Sequence, residues 1–200
     1  MSDQAPPRRL RADAERNRAR LLEAARAAFA AAASDASGST TVSLEQIARD
    51  SGVGIGTLYR HFPAREALVE ALYRKELADL CASADDLLAA QAPEYALRAW
   101  LDRFAGYVTA KAEMAEALRA VHAAGNVTVS QARSQLADAV RTILDAGIRA
   151  GTLRDDVRPE DIVATIVGMF AATALDGGRD QLERMFDLLM NAVRRPRPEA

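Results

Sequence analysis

The sequence predicts an all-α protein of about nine helices, three in a small N-terminal domain and the rest in a larger C-terminal one. Alanine, the strongest helix former, accounts for 44 of the 200 residues. Apolar residues recur at intervals of three and four along most of the chain, as they do on one face of a helix. The only cluster of Val and Thr, at Thr40–Val42, is too short to indicate a strand. Composition and periodicity therefore agree on helices alone.

The composition also excludes several classes of protein. Hydrophobic residues make up 50% of the chain and Gly and Pro only 11 and 7 residues, so it is neither disordered nor collagen-like. One cysteine, Cys81, and two histidines, His61 and His122, leave no disulfide and no convincing metal site. No apolar run reaches about 18 residues, and no apolar segment follows the basic N-terminus. We therefore expect no membrane partner, no metal or other cofactor, and a cytoplasmic location.

The first helix is predicted from about Asp13 to Ala33, after a flexible arm over residues 1–10 that contains two prolines. Its apolar face consists of residues spaced by three and four: Leu21, Leu22, Ala25, Ala28, Phe29 and Ala32. The segment Ser34–Val42 is rich in Ser, Thr, Asp and Gly and predicts a loop. This helix therefore precedes a clear break in the pattern.

The second and third helices are predicted to be short. Ser43 and Gln46 form a capping box, in which the Ser hydroxyl accepts from the backbone and the Gln side chain reaches back, so a helix begins at Leu44. Gly52 ends it at a position that needs a positive φ, and a second two-turn helix follows over 54–61. Together these features predict a helix-turn-helix unit with one small shared core, made of Leu44, Ile47, Val53, Leu58 and Phe62.

The later helices are bounded by turn residues. Pro63 is predicted as the first residue of a long fourth helix that runs to about Leu88 and links the two domains, 1–62 and 63–200. Further helices are predicted from near Glu94, from about Lys111 to His122, over about 129–150 with Gly151 as the cap, from Pro159 to a break at Gly177 and Gly178, and over about 179–194.

The segment 43–65, SLEQIARDSGVGIGTLYRHFPAR, resembles the DNA-binding motif of the tetracycline-repressor (TetR) family of bacterial transcription regulators. The run GTLYRHFPAREAL at 56–68 is similar to the third helix of that family and the start of its fourth. The resemblance covers about residues 13–75, and beyond them only the number and lengths of the helices agree. The loop Ser34–Val42 is several residues longer than the usual connection of the family.

The resemblance implies that the helix over 54–61 enters the major groove of DNA, while Arg8, Arg9 and Arg11 add a further contact. Ser43 would direct its hydroxyl at a phosphate and Arg65 would hold the opposite backbone. A buried helical hairpin is the alternative, but it has no need of the glycines in this segment. A nucleotide-binding glycine loop is excluded because the segment follows a helix and not a strand. The predicted DNA-binding residues are Ser43, Gly54, Ile55, Gly56, Thr57, Tyr59, Arg60, His61 and Arg65.

Charge divides unevenly between the two parts of the chain. Residues 1–75 hold 12 Lys or Arg and 9 Asp or Glu, a net charge of +3, and residues 76–200 hold 14 and 19, a net charge of −5. A basic end is consistent with DNA binding, although +3 is modest for such a domain.

The last two predicted helices carry broader apolar surfaces than one neighbour can bury. Plain core packing would explain them, and so would the four-helix dimer interface that is usual in the family, which would present two recognition helices to a palindromic operator. The predicted interface residues are Ile162, Ile166, Phe170, Ala174, Leu182, Met185, Phe186 and Leu189.

The resemblance also implies a pocket for a small hydrophobic or aromatic effector in the C-terminal domain. Its predicted lining is Tyr95, Trp100, Phe104, Tyr107, Met114 and His122, although an aromatic stripe is also typical of a core. We find no catalytic arrangement of side chains and predict no enzyme. The expected function is a homodimeric, ligand-responsive repressor. The alternatives are a helical small-molecule-binding protein without an operator and a regulator that activates or needs no ligand.

Overall fold

The computed structural model describes residues 7–34, 42–123, 129–176 and 178–196. Within those ranges the chain folds into helices without a strand, apart from one isolated antiparallel bridge between Leu153 and Arg194. The nine helices there are α1 (Pro7–Ser34), α2 (Leu44–Ser51), α3 (Ile55–His61), α4 (Arg65–Ala90), α5 (Pro93–Glu113), α6 (Ala115–Ala123), α7 (Val129–Arg149), α8 (Pro159–Asp176) and α9 (Gly178–Val193). The predicted all-α class is confirmed.

The N-terminal helix begins earlier than predicted. Helix α1 starts at Pro7 and not near Asp13, so the part of the predicted arm over 7–10 is helical. Proline suits the first position of a helix, since its missing N–H would have no intrahelical partner there. The Arg, Leu and Ala residues that follow are good helix formers, and they outweigh the lack of an apolar pattern. The rest of the predicted arm, over 1–6, lies outside the described residues.

Two of the predicted boundaries in the middle of the chain are wrong. Helix α4 starts at Arg65, because Pro63 and Ala64 form a bend, and the carbonyl of Ala64 accepts the bond from the Leu68 amide at 3.4 Å. Helix α5 continues through to Glu113, since neither proline nor glycine follows Tyr107 to end it, and the break falls at Met114.

Other boundaries agree with the prediction. Helix α2 spans Leu44–Ser51, α7 is followed by Gly151 at φ +71°, and α8 begins at Pro159. Gly178 is the first residue of α9 and has φ +58°, while its predicted partner in the turn, Gly177, lies outside the described residues. Positive φ at Gly151 is the conformation that favours glycine after a helix.

The described residues group into two compact units. One lies within Met1–Lys75 and Thr109–Asn126, and the other within Glu76–Val108 and Val127–Ala200. Helices α4 and α5 each contribute residues to both units. The first unit therefore extends past the predicted domain boundary at residue 62 and takes in a later stretch of chain.

Each unit has its own buried core. In the first, α1 packs on α2 and α3 and buries Leu21, Phe29, Leu58 and Phe62. In the second, α8 packs between α7 and α9, and the largest buried side chains there are Trp100, Phe104 and Phe186. Among the described helices, none has an apolar stretch long enough to cross a bilayer.

Candidate nucleic-acid interface

The turn between α2 and α3 requires glycine at position 52. Gly52 has φ +64°, and its N–H bonds to the carbonyls of Ala48 and Arg49. The buried Ser51 hydroxyl donates to the Ala48 carbonyl at 2.9 Å and accepts from the Val53 amide at 3.3 Å. A Cβ atom on Gly52 would lie 2.6 Å from a guanidinium nitrogen of Arg20. The positive φ therefore favours glycine here, whereas the end of the Arg20 side chain could move aside for a Cβ atom.

The predicted cap of α2 forms, but only half of the capping box does. The Ser43 Oγ accepts from the Gln46 amide at 3.4 Å and donates to Glu45 at 2.7 Å. The Gln46 side chain does not reach back. It accepts from Arg49 at 2.7 Å and donates to Asp50 at 2.6 Å, because these ionised groups lie on the same helix face. The hydrogen bond from Ser43 holds the pKa of the Glu45 carboxyl below its ordinary value.

The shared core of the predicted helix-turn-helix unit is present with one exception. Ile47, Val53, Leu58 and Phe62 are buried, whereas Leu44, in the first turn of α2, is only partly buried. This core fixes α3 against α2 and leaves the opposite side of α3 facing outward.

The outward face of α3 carries most of the predicted DNA-binding residues. Gly54 caps the helix, and Ile55 and Tyr59 expose 40% and 45% of their surface although both are large and apolar or aromatic. Arg60 is exposed, and Thr57 and His61 are half-buried, with the His61 ring tilted against Phe62 at a centroid distance of 6.1 Å. The structure thus brings Gly54, Ile55, Gly56, Thr57, Tyr59, Arg60 and His61 together on one short helix.

Gly54 and Gly56 are not required by the packing of the chain itself. A Cβ atom at either position would meet nothing within 4 Å, and neither residue has a positive φ. Because Gly54 and Gly56 carry no side chain, nothing projects from the first turn of α3 at these positions and its backbone is accessible. Such a surface allows close approach by another molecule.

Three arginines of the first unit lie against the helix-turn-helix core without a carboxylate. The Arg18 guanidinium lies 5.4 Å from the ring centroid of Phe62, and that of Arg65 lies 5.9 Å from the ring centroid of Phe29. Arg20 lies against Gly52. Within the described ranges none of the three has an ion-pair partner. Their charges therefore stay available to an anion from outside the chain.

Sequence reasoning missed Arg18 and Arg20 as members of this surface. A signal was present, since Arg18 precedes Leu21 and Leu22 by three and four residues and so shares their face of α1. The other predicted contacts outside α3, Ser43 and Arg65, lie at the start of α2 and the start of α4.

The predicted effector-pocket residues are divided between the two units. Trp100, Phe104 and Tyr107 are buried on one face of α5, with adjacent rings 5.8 and 5.9 Å apart, and the indole Nε1 of Trp100 donates to the Leu80 carbonyl at 3.1 Å. They therefore pack as part of a core. Tyr95 is 58% exposed and does not join them, and Met114 is buried in the first unit. The side chain of His122 lies outside the described residues.

Most of the predicted dimer residues are covered by the chain itself. Ile162, Ile166, Leu182, Phe186 and Leu189 are buried, Phe170 and Met185 are half-buried, and the side chain of Ala174 lies outside the described residues. The buried ones have little surface left for a partner, because the apolar faces of α8 and α9 meet the other helices of their own unit. The exposed small or apolar residues of α8 and α9 that could meet a partner include Ala164, Gly168, Ala171, Ala172 and Leu188.

Neither a metal centre nor a reactive thiol is apparent in the part of the chain that is described. There, no three His, Cys, Asp or Glu side chains come together in a way that could hold a metal ion. Burial, and to a lesser extent the charge of Asp138, raises the pKa of the Cys81 thiol to about 11. The thiol is therefore protonated and weakly nucleophilic at neutral pH.

Comparisons with known proteins agree with this geometry. The family model described as "Bacterial regulatory proteins, tetR family" matches residues 21–72, and the model described as "Transcriptional regulator SbtR-like, C-terminal domain" matches residues 92–195. A TetR transcriptional regulator from Streptomyces coelicolor, known from its crystal structure, is 42% identical in sequence to this chain. The match has a TM-score of 0.76 and covers 90% of this chain and 99% of that one. The TetR transcription regulatory protein from Mycobacterium vanbaalenii is 32% identical, with a TM-score of 0.67, over 93% and 99% of the two chains.

A shorter match is found among curated proteins. An HTH-type transcriptional regulator from Staphylococcus aureus is 37% identical over 68 residues, which are 34% of this chain and 34% of that protein. The chain thus matches about a third of the length of these curated relatives. The resemblance of segment 43–65 is confirmed, and the family is one of DNA-binding regulators and not of enzymes. The chain belongs to the TetR family of bacterial transcriptional regulators.

Proposed function

We propose that this regulator is a homodimeric repressor that inserts α3 into the major groove of a palindromic operator and is released by a small effector. The observation that carries the proposal is the outward face of α3. Tyr59 and Ile55 stay exposed there, beside two glycines that the fold itself does not need. A low, partly apolar and basic helix surface fits base edges and thymine methyl groups in the major groove.

The phosphates on either side of the groove would be held by residues that flank α3. The α2 N-terminus, capped by Ser43, offers backbone amides to one phosphate. Arg65, at the first position of α4, would contact a phosphate of the opposite DNA strand. A guanidinium that already lies on an aromatic ring needs less ordering when it meets a phosphate.

The dimer would form through the exposed sides of α8 and α9. Ala164, Gly168, Ala171 and Ala172 lie along one side of α8, where their small size lets a second helix approach closely. On α9, Leu188 is 69% exposed, which is unusual for a leucine unless a partner covers it. A two-fold dimer through these helices would present two copies of α3 to the two halves of a palindrome.

Release by an effector would be a shift between two conformations of the dimer. The effector would be a small hydrophobic or aromatic molecule, as the resemblance to the family implies. Helices α4 and α5 each run from one compact unit into the other, so a change in one unit would act directly on the other. Coupling of this kind usually changes the affinity for DNA roughly 5- to 150-fold.

Operator binding can be tested with DNA fragments selected from the genome of the host by the purified full chain. Binding should be sequence-selective and should weaken steeply with added salt. Tyr59→Ala and Arg60→Gln should each weaken it about tenfold or more, in keeping with about 1–3 kcal/mol for a base contact. Arg158→Gln, an exposed arginine in the other unit, is the matched control and should bind as the parent does. A protein that selects no fragment is instead a small-molecule-binding protein without an operator.

Dimer formation can be tested separately by analytical ultracentrifugation. Leu188→Asp and Gly168→Leu should each shift the protein toward the monomer, because one buries a charge and the other places a large side chain in the contact. Gly106→Leu is the matched control, since a Cβ at Gly106 on α5 also meets nothing within 4 Å. Dimers that survive both changes would place the interface elsewhere.

A further inference from the structure

The second unit contains a polar cavity that the proposed function does not use. It measures about 860 Å³, within the range of sites for small molecules. Its lining comes from three separate stretches of chain: Glu94 and Tyr95 at the start of α5, Gly151 and Thr152 after α7, and Arg194–Pro196 after α9. The aromatic cluster around Trp100 takes no part in it.

Glu94 supplies an oxygen that has no partner. Its Oε2 is buried from solvent and makes no hydrogen bond, and it is the one such side-chain atom found among the described residues. A buried acceptor without a donor is costly, and a carboxylate oxygen more so than a neutral one. Because Glu94 lines the cavity, rotation of its carboxyl group would bring this oxygen to an ammonium group of a ligand.

Arg194 and Arg195 also line the cavity, and the Arg194 amide donates to the Met190 carbonyl at 3.1 Å. The Arg195 amide donates to the Thr152 carbonyl at 3.0 Å, and the Arg154 amide donates to Val193 at 3.0 Å. Arg154 itself is neutralised by two hydrogen bonds to Asp156, of 2.8 and 2.6 Å. In contrast, Arg194 and Arg195 have no carboxylate partner within the described ranges. Two unpaired guanidinium groups in the lining of one cavity suit a carboxylate.

Tyr95 completes the lining. The residue is 58% exposed, and it lies in the first turn of α5 and in the cavity lining next to Glu94. An exposed aromatic ring beside charged groups provides an apolar surface on which the side chain of a ligand can lie.

We propose that this cavity binds a zwitterionic small molecule of the amino-acid class, with its ammonium group at Glu94, its carboxylate at Arg194 and Arg195, and an apolar or aromatic side chain against Tyr95. The site is separate from the DNA-binding surface and from the aromatic cluster of α5. It stands whether or not the operator is found, because it can be measured without DNA.

Three related probes test the assignment by isothermal titration calorimetry on the full chain. L-Phenylalanine has both charges, 3-phenylpropanoate lacks the ammonium group, and 2-phenylethylamine lacks the carboxylate. We expect L-phenylalanine to bind at least tenfold more tightly than either analogue. No saturable binding of L-phenylalanine, or equal binding of all three probes, overturns the proposal.

Two variants assign the charges to their residues. Glu94→Gln should weaken L-phenylalanine at least tenfold and leave 3-phenylpropanoate unchanged, since only the ammonium contact is lost. The double variant Arg194→Gln, Arg195→Gln should weaken L-phenylalanine and 3-phenylpropanoate but not 2-phenylethylamine. Glu23→Gln and Arg158→Gln, both at exposed positions away from the cavity, should behave as the parent. Circular dichroism melting checks that each variant is folded. If both cavity variants bind all three probes as the parent does, the ligand lies elsewhere and the assignment is wrong.

Discussion

Two arginines of this protein lie over phenylalanine rings at the same distance but in opposite electrostatic settings. In the first unit, the Arg18 guanidinium is 5.4 Å from the ring centroid of Phe62, and no carboxylate of the described residues pairs with it. In the second unit, the Arg98 guanidinium is also 5.4 Å from a ring centroid, that of Phe186. Three carboxylates surround Arg98: Asp102 in direct contact, Glu183 at 3.5 Å and Asp187 at 3.7 Å.

The difference indicates what each arginine is for. The charge of Arg98 is neutralised by carboxylates of its own helix α5 and of α9, so it links the two helices. Its side chain is only 24% exposed. Arg18 keeps the same stacking contact but has no counter-ion among the described residues, so its charge remains free for a phosphate. An arginine that is ordered yet unpaired is therefore a better mark of a binding surface than a count of basic residues.

The largest expected effect is on stability, from Arg98→Met. This change keeps an apolar side chain on Phe186 but leaves three carboxylates close together, and we expect the free energy of unfolding to fall by about 1–2 kcal/mol. Urea unfolding at neutral pH measures it. The control is Arg103→Met, an exposed arginine on the same helix without a carboxylate partner within the described ranges, which should change stability by less than about 0.5 kcal/mol. If Arg98→Met and Arg103→Met change the free energy of unfolding equally, the ion pairs of Arg98 do not stabilise the protein.

The converse change is Arg18→Gln, which should act on DNA and not on stability. We expect the affinity for the operator to fall about five- to tenfold, and the slope of log K against log salt to fall by about 1, as for one lost phosphate contact. Fluorescence anisotropy at several salt concentrations measures both quantities.

The unfolding free energy of Arg18→Gln should stay within about 0.5 kcal/mol of the parent, as for other surface changes. Arg16→Gln is the matched control, since Arg16 lies on the same helix but pairs with Asp13. A large loss of stability with an unchanged salt slope would make Arg18 a structural residue like Arg98.

A smaller effect is expected at Ser43, whose hydroxyl, and not an arginine, donates to the carboxylate of Glu45. Ser43→Ala removes the cap of α2 and should cost about 1 kcal/mol of stability. It should also return the pKa of Glu45 toward its ordinary value, because the bond from Ser43 is the main cause of the lowering.

The pH dependence follows from the direction of that shift. Glu45 is more acidic in the folded chain than in the unfolded one, so its contribution is present at neutral pH and is lost as the pH falls through its folded pKa. In Ser43→Ala the carboxyl should become protonated at a higher pH than in the parent. A titration of the Glu45 side chain by NMR measures this difference, and an unchanged midpoint would contradict the role of the hydroxyl.

What could be predicted from the sequence was the chemistry of short segments. Ser43 at the start of α2 and Gly52 after its end follow from local rules of caps and backbone dihedrals, and the structure agrees with both. The pairing of the Gln46 side chain was missed because two local partners, Arg49 and Asp50, compete with the cap. Local competition of this kind cannot be decided from one spacing rule.

Burial by a particular partner was harder to predict. The periodicity of α8 and α9 predicted that Ile166 and Phe186 lie on apolar faces, but it could not say whether the same chain or a second copy covers them.

The spacing of α5, in contrast, did indicate that Tyr95 lies apart from the other aromatic residues. It precedes Trp100 by five residues and therefore lies on a different face of α5, whereas Phe104 and Tyr107 follow Trp100 at helical intervals. The cavity at Tyr95 depends on Thr152 and Arg194, which only the fold brings together.

The smallest expected effect is at Arg65, which is unpaired like Arg18 but lies farther from its ring. Its guanidinium is 5.9 Å from the ring centroid of Phe29, so the stacking is looser than at Arg18, and it too has no carboxylate partner among the described residues. Because a looser contact orders the charge less well, Arg65→Gln should weaken operator binding only about two- to threefold, again with a lower salt slope. Arg65→Lys separates charge from stacking: it should restore the salt slope but not the full affinity, since an ammonium group keeps the charge and loses the planar contact. If Arg65→Gln weakens operator binding more than Arg18→Gln does, the distance between guanidinium and ring does not determine the strength of the phosphate contact.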